Sequence, residues 1–131
     1  MKKDIPIIQV SQVGIAIIPE TDSELWEVYL INLKDRMLRD IIVNSRGYGE
    51  VDGKKIETPT MRYYFEYLGK ENAMKIELIQ DDLLKVANEY WISFKIDDYL
   101  YDKKLVFVQG SISTDYFSNI PIVEKRGVII I

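Results

Sequence analysis

Tyr90-Trp91-Ile92-Ser93-Phe94-Lys95-Ile96 is the stretch on which the fold turns. Tyr90, Ile92, Phe94 and Ile96 alternate with Trp91, Ser93 and Lys95. That period of two is what a half-buried strand needs to set one face against a core. The pattern recurs to either side. Ala73–Ile79 sets Met74, Ile76 and Leu78 on one face and Lys75 and Glu77 on the other. Val13–Ile18, stopped by Pro19, and Leu105–Ile112 read as further strands. Leu25–Leu33 is apolar on both faces, with Trp26, Val28 and Leu30 on one and Leu25, Tyr29 and Ile31 on the other. Leu38–Asn44 follows across the turn Lys34-Asp35-Arg36, and the simplest expectation is a tight antiparallel pair of these two.

Asp52-Gly53 is a strong hairpin signal, which pairs Tyr48–Val51 with Lys55–Glu57. Residues 61–68 fit two readings. A strand puts Met61, Tyr63, Phe65 and Tyr67 on one face, whereas a helix groups Met61, Tyr64, Phe65 and Leu68 between Thr58-Pro59 and Gly69. The dense aromatics and short run favour the strand. Asp81–Ala87 fits one helical turn, and Ile120–Val123 and Val128–Ile131 flank the turn 124–127. About eight short strands with a turn every 8–12 residues predict one all-β domain over residues 1–131, an antiparallel β-sandwich. Tyr90 opens its strand two residues before the inward Ile92, where immunoglobulin-like sandwiches carry a corner tyrosine bonded to upstream backbone. The expected fold is therefore an immunoglobulin-like sandwich.

The 131 residues suit a single domain that buries its own core, at 47% hydrophobic and 29% charged. A net charge of −4 speaks against nucleic acid and against an anionic membrane surface as partners. The chain has no cysteine and no histidine. Thiol nucleophiles, His-based triads and the usual zinc sites are thereby excluded. The apolar N-terminal run is broken by Asp4, Pro6 and Gln9 and has no small-residue cleavage site, so it does not read as a leader. The expected location is the cytoplasm.

Leu25–Asn32, Val43–Glu50 and Glu89–Phe94 resemble a family of small, uncharacterised bacterial proteins, mostly of Bacteroidetes, over nearly the whole chain. The resemblance implies no activity. Some members bear a phosphoribosyl-pyrophosphate synthetase label, but the acidic, Gly-rich phosphoribosyl loop that such an enzyme needs is missing here.

Arg46-Gly47-Tyr48-Gly49 joins two strands and offers a forked cation, a stacking ring and flexible backbone. Its plainer reading is a turn that needs positive φ. Trp91 lies opposite the core face, as an interface tryptophan would, and Trp26 with Trp91 could build a sugar-stacking platform. Arg46, Tyr48 and Trp91 are the candidate ligand-binding residues. Asp97, Asp98 and Asp102 are the candidate calcium ligands, although their spacing departs from the EF-hand pattern and a solvated loop explains them equally. No cofactor is expected. The reading is a non-catalytic binding or interaction module for a protein or small ligand. The alternatives are a small carboxylate-based hydrolase and a carbohydrate-binding domain. The apolar tail Val128–Ile131 fits either an internal strand beside Val13–Ile18 or the edge of a homodimer.

Overall fold

Residues 10–131 are described by the computed structural model, and the N-terminal run weighed above as a leader falls outside them, apart from Val10. They form ten strands, two more than the sequence suggested: β1 (Val13–Pro19), β2 (Leu25–Asn32), β3 (Leu38–Val51), β4 (Lys54–Glu57), β5 (Met61–Leu68), β6 (Asn72–Gln80), β7 (Ala87–Ile96), β8 (Tyr99–Phe107), β9 (Ser118–Asn119) and β10 (Arg126–Ile130). Every pairing is antiparallel. The first sheet runs β6-β2-β1-β10-β9; the second runs β4-β3-β7-β8, with β5 also on β3. Residues 61–68 are thus a strand. Val13, Ile15, Ile17, Val28 and Leu30 of the first sheet meet Ile41, Val43, Tyr90, Ile92 and Phe94 of the second in a core closed to solvent.

The expected pair of Leu25–Leu33 with Leu38–Asn44 does not form, because β2 and β3 lie in opposite sheets. Asn32 turns the chain across the gap. Its buried side-chain amide donates to the carbonyls of Arg36 and Gly69, both at 2.9 Å, and its oxygen accepts from the Lys34 N–H at 3.0 Å. One polar side chain thereby ties the β2–β3 corner to the β5–β6 corner, satisfying backbone groups that two apolar strands would leave exposed.

Arg46–Gly49 is no turn. β3 runs unbroken over 14 residues, and neither Gly47 nor Gly49 has positive φ. A Cβ at Gly49 would sit 3.2 Å from Val86, so the missing side chain allows close approach. The hairpin at Asp52-Gly53 forms as read, with φ of 53° and 77°.

The two apolar faces of β2 are both used internally. Ala16, Ile18 and Ile31 on the outer side of the first sheet are covered by Ile120, with Val123 and Ile129 packed around them. Ile120 is itself fully buried. β10 pairs with β1, matching Ile15 to Ile130 and Ile17 to Val128. Among the described residues, no helix is long and apolar enough to cross a membrane.

Candidate functional site

The three candidate binding residues converge on the outer face of the second sheet. β3 places Arg46 opposite Glu89 of β7, and β7 places Trp91 opposite Lys104 of β8. Glu89 is the hub. It is only 6% exposed, and it accepts from Arg46 Nε at 3.3 Å and from the Tyr48 hydroxyl at 3.2 Å, with Lys104 Nζ 3.5 Å away. The Arg46 guanidinium lies over the Tyr48 ring at 4.8 Å. Trp91 is 46% exposed, yet its indole N–H donates to Asp102 at 2.7 Å and Lys104 stands 5.6 Å from its ring. The result is a flat, charged and aromatic ladder whose side chains already hold one another in place.

Burial pushes the Glu89 carboxyl up, but the hydrogen bond and charge of Arg46, the charge of Lys104 and the Tyr48 hydroxyl outweigh it. The group ends below its ordinary value of 4.5. Glu27, on the first sheet, behaves alike: burial raises it, and Lys75 at 2.8 Å, Lys125 and Tyr29 pull it below 4.5. A carboxyl depressed in the folded state contributes stability that is complete above its unfolded value and is lost as pH falls through the folded one. The melting temperature is therefore expected to hold steady above pH 4.5 and to decline below it on account of these two groups. Glu89→Gln should flatten part of that decline in a calorimetric pH series; an unchanged slope would assign the acid sensitivity elsewhere.

The three aspartates do not gather. Asp97 sits in the β7–β8 turn with φ of 55° and pairs with Arg36, while Asp102 on β8 accepts from Trp91. Among the described residues, no group of three acidic side chains is placed to hold a metal ion. The two tryptophans do not share a platform either. Trp26 is on β2 in the other sheet, edge-on to Phe117 at 6.0 Å and bonded to Asp81.

Glu77 is the residue that alternation misplaced. Period two sends it outward with Lys75, but the β2–β6 register slips, pairing Val28 with Glu77 and Tyr29 with Lys75. Ile76 is the extra residue of this bulge, and a bulge re-aims the side chains beyond it. Leu78 is turned out to 47% exposure, and Glu77 is turned into the sandwich. There its carboxylate accepts from the hydroxyls of Tyr63 (2.7 Å), Tyr90 (2.8 Å) and Ser45 (3.2 Å). Tyr90 does not open its strand, because β7 begins three residues earlier at Ala87, and its hydroxyl bonds this side chain and not upstream backbone. The cluster lines a pocket of about 200 Å³ that opens among Thr58, Pro59, Met61, Leu83 and Asn88.

No protein family, curated protein or solved structure matches the chain.

Proposed function

We propose that this chain is a non-catalytic binding module that docks a protein partner on the outer face of β3, β7 and β8. The observation that carries the reading is Trp91: a half-exposed indole on a rigid sheet, fixed by Asp102 and flanked by the Arg46–Tyr48–Glu89 group. Tryptophan, tyrosine and arginine supply most interface energy. Side chains already ordered lose less entropy when a partner arrives. Lys104 stands over the Trp91 ring, which disfavours stacking of a sugar there. Among the described residues Glu77 is the one carboxylate lining its pocket, whereas a carboxylate-based hydrolase works with two. The net charge of −4 speaks against nucleic acid, and the cysteine-free chain suits the cytoplasm.

An immunoglobulin-type topology is part of the same proposal. The strand order supports it: β1, β2 and β6 lie in the order of strands A, B and E, and β3, β7 and β8 in that of C, F and G, while among the described residues no strand stands for D and β10 lies beside β1.

The test compares capture of native partners by the wild-type protein, by Arg46→Ala with Trp91→Ala, and by Glu124→Ala as a distant surface control. The double variant is expected to lose a partner that both other forms retain, while melting within a few degrees of wild type. A large fall in melting temperature with capture intact would mark the ladder as structural.

A further inference from the structure

We propose that the Glu77 pocket is a binding site for an alkylammonium group, either a small aliphatic amine or the side chain of a lysine. The chemistry follows from where the hydrogens are. Tyr63, Tyr90 and Ser45 each commit their hydroxyl hydrogen to the Glu77 carboxylate. Burial, and then the neighbouring Glu77, push both phenols well above their ordinary value, so those hydrogens stay in place. The cluster then presents lone pairs and one negative charge, with no donor left to offer. An anion or an acceptor-only ligand finds no donor on this cluster, and a charged N–H donor is the complementary group.

Glu27 and Glu89 each hold lysine or arginine partners, whereas among the described residues Glu77 has no ion pair. Arg46 lines the same pocket, but its guanidinium is held by Glu89 over the Tyr48 ring. The remaining wall is largely hydrocarbon, with Pro59, Met61, Leu78 and Leu83 around the mouth. A short aliphatic chain would lie against that wall with its ammonium on Glu77. The pocket's volume of about 200 Å³ has room for four carbons and a nitrogen. A single carboxylate among neutral hydroxyls falls short of the several charged oxygens that calcium takes.

Titration of ¹⁵N-labelled protein with butylammonium chloride at constant ionic strength tests the site. Saturable shifts are expected at the amides of Gly47, Leu83 and Asn88. Butyrate, 1-butanol and potassium chloride should produce none. Tyr63→Phe removes one acceptor oxygen and should weaken binding about fivefold, and Glu77→Gln should weaken it more than about tenfold. Should Glu77→Gln fail to fold, Met61→Trp serves instead: Met61 is 49% exposed at the rim, so the larger ring is tolerated and closes the mouth. Nα-acetyl-lysine amide binding as tightly as butylammonium would assign the site to a lysine; binding of butylammonium alone would assign it to a free amine. Shifts reproduced by butanol or by potassium, or unaffected by both Tyr63→Phe and Met61→Trp, would overturn the proposal. Trp91 is untouched throughout, so failure here leaves the outer-face reading standing.

Discussion

Removal of residues 128–131 is expected to leave a chain that does not fold at micromolar or at near-millimolar concentration. β10 works on both sides of the first sheet. Val128 and Ile130 join the central core, whereas Ile129 packs with Ala16, Ile18 and Ile120 on the outer side. Burying one aliphatic side chain contributes about 1.5–3 kcal/mol, and each ladder hydrogen bond to β1 about 1 kcal/mol more. Losing all of them removes a large part of the roughly 5–15 kcal/mol by which a domain of this size is stable. The truncation also bares the edge of β1 over Ile15–Ile17, an apolar strand that would then invite aggregation. Circular dichroism over a dilution series checks this. A truncated chain that folds with unchanged melting temperature, and is monomeric where the intact protein is a dimer, would place the strand at an interface between copies. Because β1 occupies one edge of β10 and β9 takes Arg126 and Gly127 of the other, a dimer would have to form along what is left of that second edge.

Much of this arrangement was written in local alternation. Tyr90, Ile92, Phe94 and Ile96 face inward as their spacing requires, and Asp52-Gly53 makes its hairpin. Arg46, Tyr48 and Trp91, chosen separately for their chemistry, come together because β3 and β7 are neighbours in register. What alternation could not carry is register and sheet membership. Glu77 sits one residue past a bulge, and nothing in Ala73–Ile79 announces the slip between Val28 and Tyr29. The corner at Asn32 depends on a carbonyl of Gly69, 37 residues away. The double apolar face of Leu25–Leu33 was a true signal with two explanations. A second copy and a covering segment of the same chain bury the same area, and Ile120 supplies the cover.

Gly14→Ala and Gly127→Ala are each expected to lower stability by about 2–3 kcal/mol, although each adds a single methyl group. These residues flank the β1–β10 ladder, just outside the pairs Ile15–Ile130 and Ile17–Val128. A Cβ at Gly127 would stand 2.5 Å from the Ile17 carbonyl oxygen and 2.9 Å from Ile18 Cγ1. A Cβ at Gly14 would strike the Ile130 carbonyl oxygen and lie 2.9 Å from Ile131 Cγ1. Both obstacles include backbone, which cannot swing aside as the tip of a side chain can. Relief requires β10 to move off β1, and Ile120 and the core both resist that because β10 packs against each. Gly69→Ala is the control. A Cβ there meets only Asn72 Nδ2 at 3.9 Å, and the backbone is outside the left-handed region. That variant should be neutral or gain a few tenths of a kcal/mol through a stiffer unfolded chain, within the roughly 0.4–1 kcal/mol seen for compatible sites. Urea denaturation separates the three. The double variant adds a sharper reading: if one displacement of β10 relieves both clashes, the combined loss is smaller than the sum. Full additivity would mean that the two ends of the strand yield independently. Near-wild-type midpoints for both single variants would show that β1 and β10 do not approach as closely as this register requires.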